Sequence, residues 1–308
     1  MFIDNLIEAI RQKKSVVCVG LDPVLEKIPA SIITRAEANH GPTLTAAAEA
    51  VLNFNKGLID AIYDLVPVVK PQSAFFEKLG FQGVWAFEET CKYAKEKGLL
   101  VIGDVKRGDI GNTAEAYAEA FLGETSVFGN KVATNFLDAV TVNPYMGYDS
   151  VKPFVKYSKK KGKGVFVLVK TSNISSGDFQ DRTVDESGLK IYEVAGHLLE
   201  SWGADEIGKY GYSSVGAVVG ATYPAEIKKL REIMPNAFFL IPGYGAQGGS
   251  AEDVKFAFDA EGLGAIVNSS RGINYAYENS EVFTAETFAD AARSAVMEMN
   301  KDLVAAWN

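Results

Sequence analysis

Leu99-Leu-Val-Ile-Gly-Asp104-Val-Lys106 is apolar through its first half and charged at its far end. An alternating pattern would suit a sheet with one wet face, whereas an unbroken apolar run suits a strand covered on both sides, as in a parallel sheet flanked by helices. Seven further runs of this kind occupy 15–21, 66–70, 139–143, 164–170, 215–220, 237–242 and 264–268. Helical spacing separates them, over 46–64, 83–97, 113–122, 189–202, 225–233 and 251–258, and an initial helix over 3–13 would close one end. Eight such alternations in one rhythm favour a closed barrel over an open doubly wound sheet. The fold class is therefore read as α/β, a single (β/α)8 TIM barrel spanning 1–308, with no internal linker or low-complexity segment. Two long βα loops, 23–45 and 171–188, fall on the C-terminal side of strands and are candidate rims or lids.

Composition narrows the chemistry. At about 150 residues per domain the 308 residues would allow two domains, but a barrel with insertions accounts for them as one. Hydrophobic residues at 47% and charged residues at 23% exclude a disordered chain. Lys and Arg number 31 against 39 Asp and Glu, and the resulting charge of −8 argues against nucleic acid as a partner. An anionic ligand would need a local positive site. His40 and His197 are the only histidines and Cys18 and Cys91 the only cysteines, so zinc clusters, Cys-x-x-Cys motifs and Ser-His-Asp triads lack parts. Both cysteines lie in packing patterns and are expected to be reduced. The first fourteen residues mix acidic, apolar and basic side chains, which suits neither a signal peptide nor a membrane span, so a cytoplasmic protein is expected.

In a barrel the polar residues at the C-terminal strand ends are the ones to question, because the strand interiors are packed. Here they are Asp22, Lys70, Asp104, Lys106, Asn143, Lys170, Thr171, Ser172, Thr222, Gly243, Ser270 and Arg271. Asp104 and Lys106, two apart on an extended segment, point to one face, and Asp109 follows beyond Gly108. These groups could form a buried stabilising pair and a solvated loop. Lys70 alters the balance, because two cations facing two carboxylates can be buried only when alternately arranged and nearly neutral. Such an array suits proton transfer and stabilisation of a carbanion.

After the seventh run comes Pro242-Gly-Tyr-Gly-Ala-Gln-Gly-Gly-Ser250. Gly243, Gly245 and Gly248 fit G-x-G-x-x-G, yet the segment follows the wrong strand for a dinucleotide fingerprint. Glycine amides, a helix start and Arg271 after the eighth run instead suit a phosphomonoester at the usual barrel location.

The segment Asp104-Val-Lys106-Arg-Gly-Asp109-Ile-Gly-Asn-Thr113 carries in full the D-x-K-x-x-D-I-[G/P]-x-T signature of the orotidine 5'-phosphate decarboxylases, and the chain resembles that family along its length. Supporting segments are Gly20-Leu-Asp22, Val69-Lys70-Pro-Gln, Val169-Lys-Thr171-Ser172-Asn, Val219-Gly-Ala-Thr222, the 242–249 loop and Ser270-Arg271-Gly-Ile, in forms similar to the longer, mainly bacterial branch. The resemblance implies decarboxylation of orotidine 5'-monophosphate to uridine 5'-monophosphate without metal or other cofactor. It implies an array of Lys70, Asp104, Lys106 and Asp109, with Lys106 protonating C6 and Asp104 against the departing carboxylate. It further implies a homodimer in which Asp109 and Thr113 reach the neighbouring site. Asp22 and Lys70 would meet the ribose, Thr171 or Ser172 the pyrimidine edge, and Gln247 and Arg271 the phosphate. Competing readings are a metal-dependent sugar-phosphate lyase or decarboxylase of the same suprafamily, an aldolase with Lys70 or Lys170 as Schiff base, and a non-catalytic nucleotide-binding barrel. Lys70 speaks against the first, because it opposes a cation where an acidic ligand would be needed.

Overall fold

The computed structural model describes residues 1–133, 136–245 and 248–307. Eight strands close into one parallel barrel: β1 (Val17–Leu21), β2 (Val68–Pro71), β3 (Leu100–Arg107), β4 (Ala139–Val142), β5 (Gly164–Lys170), β6 (Ser213–Val219), β7 (Ala237–Ile241) and β8 (Ala265–Ser269). Each pairs with the next in sequence, and β8 returns to β1. All five residues of β1, β7 and β8 are buried, as expected of strands with helices outside and packed side chains within.

The helices are α1 (Phe2–Lys13), α2 (Ala30–His40), α3 (Leu44–Ile62), α4 (Ser73–Glu77), α5 (Gly80–Glu96), α6 (Gly111–Leu122) and α7 (Tyr148–Lys161), followed by α8 (Gly177–Gln180), α9 (Ile191–Gly203), α10 (Pro224–Ile233), α11 (Ala251–Val254), α12 (Arg271–Asn274) and α13 (Phe288–Trp307). A two-stranded hairpin, Thr125–Val127 with Asn130–Val132, stands outside the barrel after α6. The long helices α7 and α13 add to the spans read from the sequence.

The segment read as a loop over 23–45 is partly helical. It holds a 3-10 turn at Leu25–Lys27 and then α2, whose Ile32, Ile33 and Ala36 pack on Ala46 and Ala50 of α3 in a small cluster of their own. The 171–188 segment likewise carries a 3-10 turn, Ile174–Ser176, and the single turn of α8. Over 251–258 the α-helix is shorter than the pattern suggests, and a 3-10 turn, Lys255–Ala257, takes over. Arg231 of α10 meets the end of that turn, its guanidinium donating to the Ala257 carbonyl at 3.2 Å and lying over the Phe239 ring.

Helix α1 covers the end of the barrel where the strands begin. Its Phe2, Ile3, Leu6, Ile7 and Ile10 recur at helical spacing and are buried. The Phe2 ring meets Phe166 edge-on at 6.1 Å, and the Ile3 amide approaches Ser214 at the start of β6. With that end plugged, the C-terminal strand ends are left open to hold a site.

Leu6→Ala should cost about 2–5 kcal/mol, read by urea or thermal unfolding, because the plug leaves a cavity that rigid strands cannot fill. A cost below about 1 kcal/mol would mean that the barrel end is closed without α1.

Candidate active site

At the C-terminal ends of the strands lies a cavity of about 740 Å³. Asp22 enters from the end of β1, Lys70 from β2, and Asp104 and Lys106 from β3, all lining it. Thr171 and Ser172 follow β5, Gly243 follows β7, and Arg271 opens α12 after β8, and these four line it as well.

Asp104 is the hub. Lys70 Nζ donates to its Oδ2 at 2.7 Å and Lys106 Nζ to its Oδ1 at 2.5 Å. Gln72 Nε2 donates to Oδ2 at 2.7 Å and the Thr141 hydroxyl to Oδ1 at 2.9 Å. One side chain of β2, one from the turn just after it, one of β4 and one of β3 itself therefore converge on one carboxylate. Lys70 and Asp104 are buried at 4% and 5% exposure, whereas the Lys106 side chain is 45% exposed at the cavity. One lysine is thus a fixed counter-charge and the other is open to a ligand.

The charges shift one another in opposite directions. Burial alone would raise the Asp104 carboxyl, but Lys70 and Lys106 outweigh it and hold the group well below the usual carboxylate range. Burial would depress Lys70, and the carboxylates of Asp104 and Asp22 outweigh it and hold its ammonium above the ordinary lysine range. Asp22 is raised by burial, opposed chiefly by Lys70, and its Oδ1 makes no hydrogen bond among the described residues. Beneath the array, burial pushes the Cys18 thiol up to about 12; Cys18 and Cys91 are both free and buried.

Not every strand-end residue reaches the cavity. Lys170 is fully buried away from it, donating to Asp181 at 2.9 Å with its ammonium over the Tyr223 ring, so a Schiff base there would have to break a sequestered pair. Asp109 does not line the cavity of its own chain and accepts from the Ile110 amide at 2.8 Å, and Thr113 is exposed on the first turn of α6. In the loop after β7, Gly243, Gly245 and Gly248 all have positive φ, at 98°, 69° and 93°, a region L side chains avoid. The Gly245 and Gly248 amides are spent inside the loop, on the carbonyls of Gly249 and Gly245, and only Gly243 of the three lines the cavity. Ser250 and Asp253 cap α11 reciprocally. Gln247 lies outside the described residues.

Sequence reasoning passed over Thr141, the one polar side chain in the run Ala139-Val-Thr-Val142, and gave Gln72 no role although it quoted the residue beside Lys70. Asn268 and Ser270, which line the β8 side, are a similar case. For Thr141 a polar side chain inside a buried strand, two residues before its polar end, is the signal that was available.

A closed parallel barrel with a near-neutral lysine-aspartate array at its C-terminal strand ends defines the class of (β/α)8 enzyme. The sequence profile described as the orotidine 5'-phosphate decarboxylase / HUMPS family matches residues 15–285. The chain is 46% identical over 278 residues to an orotidine 5'-phosphate decarboxylase of Caldicellulosiruptor saccharolyticus, covering 90% of each protein. It is 44% identical over 309 residues to one from Rhodopirellula baltica, covering 98% of each. The solved structure of Leishmania donovani OMP decarboxylase superposes with a TM-score of 0.75 at 31% identity, over 99% of this chain and 98% of that one. The chain belongs to the orotidine 5'-phosphate decarboxylase / HUMPS family.

Replacing Asp104 by leucine leaves Lys70 buried with only Asp22 to oppose it, and should cost about 3–5 kcal/mol at pH 7 in a urea titration. Because the native carboxyl titrates below its unfolded value of about 3.9, the Asp104 contribution is complete above that value and is lost as the pH falls beneath it. The gap between wild type and variant should therefore be flat from about pH 7 to 5 and narrow below about 4. A gap that widened on acidification would contradict the pairing.

Proposed function

We propose that this chain decarboxylates orotidine 5'-monophosphate to uridine 5'-monophosphate and carbon dioxide, without a cofactor, in pyrimidine synthesis. The observation that carries the reading is the Asp104 carboxylate fixed between Lys70 and Lys106, with the Lys106 ammonium open to the cavity. A cavity of about 740 Å³ is in the range that encloses a small-molecule ligand of this kind.

In this reading the phosphate lies toward Arg271, Gln247 and the loop shaped by Gly243, Gly245 and Gly248. Asp22 and Lys70 meet the ribose hydroxyls, and Thr171 or Ser172 meets the pyrimidine edge. The substrate carboxylate then stands against Asp104. As the bond to C6 breaks, its electron pair stays on C6, carbon dioxide departs, and the Lys106 ammonium gives its proton to that carbon. With no electron sink, the fixed charges are the main means of stabilising the transition state. Phosphate binding, remote from the breaking bond, supplies energy for organising the array.

Asp109 and Thr113 are absent from the lining of their own cavity, which supports a homodimer in which each chain delivers them to its neighbour. A sugar-phosphate reaction dependent on a divalent metal is disfavoured by Lys70, whose ammonium faces both carboxylates that such an ion would need. No described helix is long and apolar enough to cross a membrane. We place the protein in the cytoplasm, with no membrane or nucleic-acid partner.

Purified protein given orotidine 5'-monophosphate in excess chelator should release carbon dioxide and show the ultraviolet change of the product. Folded protein that fails to do so would redirect the search to metal-dependent sugar-phosphate chemistry. Lys106→Ala should abolish turnover yet keep uridine 5'-monophosphate affinity within about threefold in calorimetry, since the lost interaction belongs to the transition state. Mixing Asp109→Ala with Lys106→Ala chains should recover up to about a quarter of wild-type activity, because half the random dimers hold one intact site. No recovery after proven subunit exchange would count against shared sites.

A further inference from the structure

The pairing of β3 with β4 slips at the site. Gly103 pairs with Val140 and Arg107 with Val142, so three residues of β3, Asp104, Val105 and Lys106, stand opposite the single residue Thr141. Two of the three charged residues of β3, Asp104 and Lys106, fall in this excess stretch, and Arg107 closes it. Lys106 has φ of 44°, the left-handed region that a side chain disfavours. Its amide falls where the ladder register shifts. The Thr141 hydroxyl meets it there, accepting from the Lys106 amide at 3.0 Å while donating to Asp104 Oδ1 at 2.9 Å. Thr141 is 1% exposed, and the ladder resumes beyond it with the Asn143 amide on the Arg107 carbonyl at 2.8 Å.

The direction of these bonds is set by chemistry. An amide can only donate, so it engages the hydroxyl oxygen, and the hydroxyl proton is left for Asp104. Lys70, Gln72 and Lys106 are donors to the same carboxylate. In this arrangement all four groups donate to Asp104, which favours its ionised form. We infer that Thr141 is a positioning residue for the decarboxylation proposed above: one hydroxyl latches the strained Lys106 backbone to the Asp104 carboxylate, fixing the proton donor relative to the fixed charge and keeping Asp104 ionised. The inference rests on that functional reading for its kinetic consequence and on the geometry alone for the latch.

Two substitutions separate the latch from packing. Thr141→Val keeps the shape and removes the hydroxyl, and Thr141→Ser keeps the hydroxyl and removes a methyl. With orotidine 5'-monophosphate, Thr141→Val should lower kcat by about ten- to a hundredfold while KM and uridine 5'-monophosphate affinity stay within about threefold. Thr141→Ser should recover most of that loss. In parallel, amide exchange followed by NMR should show the Lys106 amide deprotected in Thr141→Val, protected in Thr141→Ser, and the Val267 amide of β8 unchanged in both. Should the valine variant not fold, Thr141→Ala replaces it in the same comparison. Unchanged kcat in the valine variant, or a serine variant as impaired as valine, would overturn the inference. So would a loss of protection spread equally over Lys106 and Val267, which would mark a merely structural role. Wild type that does not turn over would sink the functional reading, and Lys106 exchange would then decide the latch: protection equal in wild type and Thr141→Val overturns it.

Discussion

A buried carboxylate met only by donors keeps its negative charge, and the mouth of this barrel is organised around that constraint at Asp104. The lysines, the amide of Gln72 and the hydroxyl of Thr141 supply four hydrogen bonds to its two oxygens. Taking Lys70 out of water would be prohibitive without this carboxylate, and burying the carboxylate would be equally costly without Lys70. Each makes the other's burial possible. The barrel contributes rigidity, because the donors come from three adjacent strands and the short turn after β2, and moving any one of them would strain a packed sheet.

How far the sequence discloses this arrangement depends on whether a feature is local. Continuous apolar runs identify the strands because full burial is written into each run separately, and Lys70, Asp104 and Lys106 are conspicuous because charges terminate those runs. The slip between β3 and β4 is different. It exists only in the pairing of two strands, so neither Asp104-Val-Lys106 nor Ala139-Val-Thr-Val142 announces it alone. Helix α2 is hard to read for a related reason: its buried face is small, and its partners on α3 lie beyond a glycine-proline break at 41–42.

Lys170 shows why a lysine at a strand end is insufficient to mark chemistry. By position it matches Lys70, and its fate is the opposite. The chain after β5 folds back so that Gln180 holds the Thr171 amide and hydroxyl while Asp181 holds the Lys170 ammonium. A charge that could have faced the cavity is thereby turned into a pin for its rim, and Thr171 and Ser172 are left as the polar groups that line it. The distinction is drawn by a carboxylate eleven residues away.

The far wall of the cavity completes the electrostatic argument. Leu168 of β5, Val218 of β6 and Leu240 of β7 line it with hydrocarbon across the barrel from Lys70, Asp104 and Lys106, while Thr171, Ser172 and Arg271 bring polar groups to it after β5 and β8. Low polarity there strengthens the field of the Lys70-Asp104-Lys106 array across the space a ligand would occupy. The same burial raises Asp22, which among the described residues has no lysine hydrogen-bonded to it as Asp104 has. Two aspartates a few residues past the starts of their strands thus acquire opposite protonation tendencies from the number of donors each is given, and the better supplied of the two is the one beside the exposed lysine.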